Sequence, residues 1–411
     1  MHSEAHSAQS LLAEARQYEA SAIAFLQDLV RIPSVNGRDP ETPVARRVQA
    51  EAIRLGLDAR LIGSNEDRQN VLVEVGKGPV GFALVAHLDT VAEGDPESWR
   101  HAPLGAEIER GRLFGRGAAD NKAGIACSLS ALALLKQHGP ADPCSYRVVF
   151  AGVVDEESGA SSPLGVCYLL DQGALDVRAA IYTYASDVIC IGHRGLLRFW
   201  LRAVGQAVHS GSEAWDRGHA GVNAVTGLAE ALLELERIEI QAIPSPEFEG
   251  LSNKLTPGTT IRGGDWPGMV PSWAEASVDV RLLPGTTPTQ VLSKVDEMLR
   301  TVQAKRPGLM LHRDVALILP ATAISANHRL VALAQRYTRE ITGKTWPAVG
   351  AGPANEGYML IGSGIPTLCG FGPVGGNAHA PDEWVELSSL VPTIAMFAGI
   401  ARDYVQTEEE Q

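Results

Sequence analysis

Residues 83–90 are the stretch that most constrains how this chain can fold. Four apolar residues lead directly to His87 and Asp89, which stand two positions apart. An apolar run of this kind is typical of a buried strand in a parallel sheet, whose carboxyl end is where such folds place their chemistry. Because side chains alternate along a strand, His87 and Asp89 are expected to point the same way. The pair fits a metal-binding histidine supported by a carboxylate, although most such pairs are structural.

The composition favours a globular protein with two domains. Of the 411 residues, 45% are hydrophobic and 20% charged, and this length exceeds that of most single domains. The formal net charge of −13 argues against nucleic acid or an anionic membrane as partner. The five scattered cysteines indicate reduced thiols and no thiolate metal site. Because residues 1–6 lack a signal-peptide pattern and no run is long enough to span a membrane, we predict a cytoplasmic location.

Hydrophobic periodicity predicts an α/β fold with an inserted module. Up to residue 195, helical patterns alternate with short apolar strands, which indicates a mostly parallel sheet. Between residues 196 and 311 the strand patterns alternate as in a half-exposed antiparallel sheet with two helices. After residue 311 the pattern of the first 195 residues returns. We therefore predict an α/β domain formed by residues 1–195 and 312–411, interrupted by an α+β domain at 196–311.

Three further polar clusters follow strands or precede helices. Asp120 lies in a glycine-rich loop before a helix, and Glu156 and Glu157 follow an apolar strand. His379 lies in a polar loop before the last helix. An N-cap would explain Asp120 and a solvated loop would explain the acidic run, but adjacent like charges are costly unless a cation shares them. With His87, the clusters form a nitrogen and oxygen ligand set that suits Zn²⁺, Co²⁺ or Mn²⁺.

Taken together, these motifs resemble those of the M20 family of metallopeptidases and amidohydrolases, which includes acetylornithine deacetylase, succinyl-diaminopimelate desuccinylase, aminoacylase-1 and bacterial glutamate carboxypeptidase. The resemblance covers nearly the whole chain, because residues 205–211, 221–224 and 278–284 are similar to the family's inserted domain. It implies a catalytic α/β domain, a lid or dimerisation domain at 196–311, and a homodimer. It also implies two divalent metal ions, with Zn²⁺ as first choice and Co²⁺ or Mn²⁺ as alternatives.

The family pattern gives the metal-binding residues of this chain. His87 would bind one metal, and Asp120 would bridge the two. Glu157 and His379 would bind the other metal. The peptide between Asp120 and Asn121 is expected to be cis, as in relatives, so that the bridging carboxylate faces both ions.

Three residues match the family's catalytic groups. Glu156 would act as the general base, taking a proton from water and returning it to the leaving amine. Asp89 would orient His87. His209 resembles a lid histidine that donates to the tetrahedral oxyanion, often in the partner subunit. The alternative for His209 is a histidine packed against its own domain.

Three residues are predicted to bind substrate. Arg281 resembles an arginine that grips the substrate carboxylate, although on a strand it can equally pair with a neighbouring acid. Asn223 belongs to the motif at 221–224. Asn355 belongs to a Gly/Pro-rich loop at 349–357.

One family feature is missing at the end of the strand near residue 182. Many relatives carry a glutamate there as a terminal metal ligand, whereas here that place falls near Thr183 and Asp187 is the nearest carboxylate. We expect Asp187 to supply this ligand to the metal that His87 binds, because catalytic zinc usually keeps three protein ligands. The alternative is a turn-forming aspartate bonded to its own backbone.

The resemblance implies a metal-dependent hydrolase that cleaves an amide bond in a small, carboxylate-bearing substrate, as an N-acyl amino acid deacylase does. A dipeptidase or carboxypeptidase of the same family would use the same catalytic residues. A non-catalytic binding protein with an impaired metal site is the alternative from another class, because the stretch at 182–187 is altered.

Overall fold

The computed structural model describes residues 7–406, which form two compact units. His193–Thr322 and Ala351–Ala354 make up the second unit, and the rest of the described range makes up the first. The inserted unit thus starts before the predicted residue 196 and ends after the predicted residue 311. The later end has a simple cause, because the strand Met310–Leu319 pairs with the strand Gly195–Val204 and completes the inserted sheet. The prediction drawn from residues 1–6 lies outside the described residues.

The helices and strands follow one another closely along the chain. In chain order the helices are α1 (Ala8–Ala15), α2 (Glu19–Arg31), α3 (Thr42–Arg54), α4 (Ala123–His138), α5 (Val166–Asp171), α6 (Glu213–Asp216), α7 (Ala224–Leu235), α8 (Pro288–Lys305), α9 (Arg329–Thr342), α10 (Gly357–Gly362) and α11 (Leu390–Gln406). The strands are β1 (Asp58–Ile62), β2 (Asn70–Gly76), β3 (Val80–His87), β4 (Glu107–Glu109), β5 (Arg112–Phe114), β6 (Tyr146–Val153), β7 (Ala179–Tyr182), β8 (Ile189–His193), β9 (Gly195–Val204), β10 (Lys254–Gly263), β11 (Trp273–Leu282), β12 (Met310–Leu319), β13 (Thr322–Ala323), β14 (Ala348–Ala351), β15 (Thr367–Leu368), β16 (Gly375–Gly376) and β17 (Trp384–Glu386).

The first unit is built on a six-stranded sheet in the order β1-β2-β6-β3-β7-β15. The four strands from β6 to β15 run parallel. At one edge β2 pairs antiparallel with β6, and β1 pairs antiparallel with β2. On β3, Leu84 belongs to a core that also contains residues of α4 and α11. Its neighbour Val85 belongs to a separate core with residues of α5 and α10. The strand is therefore covered on both faces, which explains its continuous apolar sequence and confirms the predicted α/β architecture.

The register of this sheet brings three strand ends to one edge. His87, the last residue of β3, pairs with Val153 at the end of β6. On the other side Val85 pairs with Tyr182, the last residue of β7. The polar turns that follow these strands therefore start side by side, as the carboxyl ends of parallel strands must.

The second unit contains the antiparallel sheet β10-β11-β9-β12. Alternate residues of β9, such as Phe199 and Leu201, join a core with Leu228 of α7 and Val295 of α8. The residues between them, Arg198 and Arg202 among others, lie on the opposite, more exposed face. This is the α+β arrangement that the alternating pattern predicts. Within residues 7–406, no helix combines the length and the apolar character that crossing a membrane requires.

A buried carboxylate anchors the loop ahead of α4. Glu383, which has no solvent exposure, accepts a hydrogen bond of 2.6 Å from Nη1 of the buried Arg116. It also accepts hydrogen bonds from the backbone N–H groups of Gly117 at 3.0 Å, Ala119 at 2.9 Å and Asp120 at 2.9 Å. Four donors thus converge on one side chain and fix the path of the segment that carries Asp120.

We expect Glu383→Ala to lower the free energy of unfolding by about 3–5 kcal/mol, because Arg116 would keep a buried charge without a partner. Glu386→Ala is the matched control. Its ion pair with Arg112 measures 3.2 Å and is partly exposed, so its loss should cost less than about 1 kcal/mol. Urea unfolding with a chelator present would measure both values. Equal losses for the two variants would contradict an anchoring role for Glu383.

Candidate metal centre

The carboxylate of Asp120 lies between two histidines that are far apart in sequence. Its Oδ1 is 2.8 Å from Nε2 of His87, and its Oδ2 is 3.3 Å from Nε2 of His379. The same nitrogen of His379 is 3.0 Å from Oε1 of Glu157. The structure therefore brings together the four predicted metal ligands, with Asp120 in the bridging position.

Asp120 owes its position to the turn that leads into α4. Asp120 and Asn121 have non-helical backbone angles, with φ of −122° and −142°, and the peptide between them is cis, as predicted. The Asn121 side chain donates to the carbonyl of Thr183 at 2.7 Å and accepts from its hydroxyl at 3.2 Å. A Cβ on Gly124 would come within 2.2 Å of that hydroxyl oxygen, so the close approach requires glycine. These contacts tie the Asp120 turn to the end of β7.

The acidic turn after β6 is held by Asp89. The Asp89 carboxylate accepts hydrogen bonds from the backbone N–H groups of Glu156 at 3.3 Å and Glu157 at 2.9 Å. It also accepts one from the side chain of Asn36 at 2.7 Å. Nδ1 of His87 is 2.9 Å from the backbone oxygen of Asp89 and 3.5 Å from its Oδ1. Asp89 thus contacts both the ring of His87 and the turn that carries Glu156.

The loop that carries His379 joins the short strands β16 and β17. β17 pairs with β5, and β5 ends just before the Arg116–Asp120 segment. His379, Asn377 and Asp382 all have positive φ angles, of 62°, 58° and 53°. Such angles are uncommon outside glycine. The loop therefore turns tightly enough to present the half-exposed His379 ring to Asp120.

The charges of the centre shift the pKa values of its residues strongly. Hydrogen bonds to Asp120 and Glu157 raise the pKa of His379 to about 10. Burial opposes a charge on His87, but the carboxylates of Asp120 and Asp89 outweigh it and raise the pKa of His87 well above its usual value. Burial also raises the pKa of Glu156 well above its usual range, and the nearby His87 offsets this only in part.

The donor set fits divalent cations. The centre contains two groups of possible donor atoms, one from His87, Glu156 and Glu157 and the other from Asp120, Glu157 and His379. Within each group, the three donor atoms all lie within 4.8 Å of one another. Counting Asp89, four carboxylates face two imidazoles, so negative charge exceeds positive charge even when both histidines are protonated. Cations would neutralise this excess, and mixed nitrogen and oxygen ligands suit Zn²⁺, Co²⁺ or Mn²⁺.

The structure does not bring Asp187 to this cluster, so that expectation requires correction. Asp187 is exposed and belongs to neither group of donor atoms among the described residues. The register of β3 and β7 is the reason, because extending the pair Val85–Tyr182 by two residues brings Tyr184 beside His87. The rings of Tyr184 and His87 are 5.7 Å apart, and the Tyr184 hydroxyl donates to Oε1 of Glu156 at 3.3 Å.

The three predicted substrate-binding residues make contacts within their own units. Arg281 donates a hydrogen bond from Nε to Oδ1 of Asp279 at 2.9 Å. This is the pairing with a neighbouring acid that the sequence allowed as the alternative to substrate binding. Asn223 caps the start of α7 through its side-chain oxygen. Asn355 is buried and donates to the carbonyl of Cys369 at 2.5 Å. Their roles in substrate binding remain predictions.

His209 lies in an exposed turn of the second unit. Its Nδ1 accepts a hydrogen bond of 3.0 Å from the backbone N–H of Gly211. Because Nδ1 acts as the acceptor, the ring in its neutral form carries its proton on Nε2. The neutral side chain of His209 can therefore donate a hydrogen bond from Nε2.

Sequence motifs do not single out three residues that shape the centre. Asn36 and Tyr184 belong to stretches without a polar motif, and nothing in the sequence distinguishes Glu383 from the adjacent Asp382. Tyr184 alone could have been found, by counting the two-residue alternation onward from Tyr182.

Comparison with known proteins agrees with this geometry. Residues 83–403 match the model for peptidase family M20/M25/M40. The uncharacterized protein YgeY of Escherichia coli K12 is 28% identical over 97% of this chain and 98% of its own length. Succinyl-diaminopimelate desuccinylase of Rhodospirillum centenum is 29% identical over 91% of this chain and 95% of its own length.

Solved structures show the same fold. Aminopeptidase PepT of Bacillus cereus superposes with a TM-score of 0.75 at 19% identity, over 94% of this chain and 99% of PepT. The YXEP protein of Bacillus subtilis, described as a dinuclear metal-binding peptidase of the M20 family, gives a TM-score of 0.71 at 15% identity over 96% of this chain and 100% of YXEP. This chain belongs to peptidase family M20/M25/M40 and, like its relatives, is a hydrolytic enzyme.

Proposed function

We propose that this amide hydrolase removes an N-acyl group from a small, carboxylate-bearing molecule, with two divalent cations at its centre. The observation that carries the proposal is the Asp120 carboxylate between His87 and His379, with Glu156 beside it. Zn²⁺ is the first choice for both ions, and Co²⁺ and Mn²⁺ are the alternatives. The five scattered cysteines, whose spacing in the sequence indicates reduced thiols, support a cytoplasmic location as part of the same proposal.

Each residue of the centre has a distinct task in this proposal. His87 and Asp120 would hold one cation, and Asp120, Glu157 and His379 would hold the other. When bound, such a pair of cations lowers the pKa of a water molecule and polarises the substrate carbonyl. Glu156 takes the proton of the attacking water and passes it to the leaving nitrogen. Asp89 keeps both His87 and the Glu156 turn in place.

Three residues are proposed to bind the substrate, and one residue of the partner subunit is proposed to assist. Arg281 would exchange its contact with Asp279 for the substrate carboxylate, and Asn223 and Asn355 would contact the rest of the substrate. His209 of a partner subunit would donate from Nε2 to the oxyanion, since its Nδ1 is already an acceptor. The protein would then be a homodimer formed through the second unit.

Substrate preference separates this proposal from its nearest rival, a dipeptidase or carboxypeptidase. The desuccinylase relative favours the deacylase, because the likeness to the peptidases concerns the fold alone. Turnover of N-acetyl and N-succinyl amino acids should exceed that of dipeptides in a screen with Zn²⁺, Co²⁺ and Mn²⁺ added separately. Faster cleavage of dipeptides would overturn the deacylase assignment. The non-catalytic alternative is not retained, because the chain belongs to a family of hydrolases.

Replacing the general base should stop the reaction without emptying the centre. We expect Glu156→Gln to lower kcat by about 10²–10⁴-fold, the usual contribution of general acid–base catalysis, with metal content unchanged. Glu66→Gln, at an exposed position of the same unit, should behave like the unaltered protein. A loss below about tenfold for Glu156→Gln would argue against its role as base.

Metal analysis should identify the ligands. Asp120→Asn should lose both ions, because each metal would lose its shared carboxylate, whereas His379→Ala should lose one. Asp187→Ala is the control and should keep both, since Asp187 lies outside the cluster. Elemental analysis after dialysis measures the ratio of metal to protein. Full occupancy in the Asp120 variant would exclude the bridging role.

Subunit mixing tests the proposed role of His209. In a random mixture of Glu156→Ala and His209→Ala subunits, half of the dimers are mixed, and each of these holds one site with both groups intact. Activity should therefore recover to about a quarter of that of the unaltered dimer. If subunits exchange and activity stays at the level of the parent variants, His209 does not serve a partner's site.

A further inference from the structure

The hydroxyl of Tyr184 contacts the proposed general base. It donates to Oε1 of Glu156 at 3.3 Å, in the part-buried region beside His87. This distance is longer than the usual range of about 2.5–3.0 Å for a hydrogen bond between two oxygens. Long contacts of this kind are common between catalytic groups that tighten when substrate binds. None of the roles assigned above to the centre includes this tyrosine.

The position of the Tyr184 ring is fixed by its neighbours. It stacks on Tyr182 with ring centroids 5.5 Å apart and planes inclined by 19°. Tyr182 is itself fully buried and donates to Oε2 of Glu356 at 3.1 Å. Gly372 packs closely against the backbone of Tyr184. A Cβ added to Gly372 would lie only 2.5 Å from the carbonyl oxygen of Tyr184. Packing against Tyr182 and Gly372 at the end of a buried strand therefore holds the Tyr184 hydroxyl next to Glu156.

We propose that Tyr184 is a positioning residue for Glu156. A carboxylate turns readily about its last torsion angle, which has a broad, roughly two-fold preference. A fixed donor at Oε1 selects one orientation and leaves Oε2 to carry the proton from water to the leaving nitrogen. The inference rests on the proposed role of Glu156 as base.

Tyr182 provides a matched control, because the two tyrosines are stacked and each donates to a different glutamate. Tyr182→Phe removes the hydroxyl that serves the buried Glu356, so it should lower the melting temperature and leave kcat close to that of the unaltered enzyme. Tyr184→Phe removes the hydroxyl that serves Glu156, so it should change turnover and leave the melting temperature and metal content unchanged.

The experiment measures kcat and KM for the N-acetyl or N-succinyl amino acid that the enzyme cleaves fastest. Tyr184→Phe should lower kcat by about 10–100-fold, the range for a misplaced catalytic group, while KM changes by less than about twofold. In the Glu156→Gln background the same substitution should cause no further loss, because a residue that acts through Glu156 has nothing left to position.

The outcomes that overturn the proposal are distinct. An unchanged kcat for Tyr184→Phe, or loss of metal from that variant, would show that Tyr184 does not position Glu156. An equal loss in the Glu156→Gln background would show that Tyr184 acts independently of Glu156. Failure of Glu156→Gln itself to reduce turnover would refute the base assignment, which is a separate result from any of these.

Discussion

The two hydrogen-bonding contacts of the Asp120 carboxylate hold the centre together. They join His87, at the end of a central strand, to His379, in a loop almost three hundred residues later. A shared carboxylate can do this only if its own backbone is fixed. Glu383 provides that constraint by accepting hydrogen bonds from Arg116 and from the Asp120 turn. Because Glu383 follows His379 in the same loop, one segment both presents a histidine and anchors the residue that it meets.

A second set of contacts places like charges side by side. Asp89 holds the Glu156–Glu157 turn through backbone N–H groups and is itself held by Asn36. Asn36 also donates to Asp155 at 2.8 Å, and Arg68 pairs with Asp155 at the same distance. Neutral and cationic donors thus surround the outer side of the acidic turn. Its inner side remains rich in carboxylates, which is the arrangement that favours divalent cations.

Much of the fold and part of the centre could be predicted from the amino-acid sequence. The apolar run before His87 predicts a strand buried on both faces, and the alternation in β9 predicts a sheet with one exposed face. The inserted unit ends after the predicted residue 311, because the strand Met310–Leu319 pairs with the distant strand β9 and no local pattern shows that pairing. Asp187 likewise lies outside both groups of donor atoms, because strand register, and not nearness in sequence, decides which side chain lies beside His87.

The sequence by itself determined the residue types of the centre, because each lies directly after a strand or before a helix, where an α/β sheet gathers its polar turns. Only the tertiary structure decided which side chains meet. The alignment of β7 with β3 places Tyr184, and not a carboxylate, beside His87. Glu383 likewise gains its role from four donors that approach from a distant loop. Register and loop packing are set by the whole core, so no local pattern can specify them.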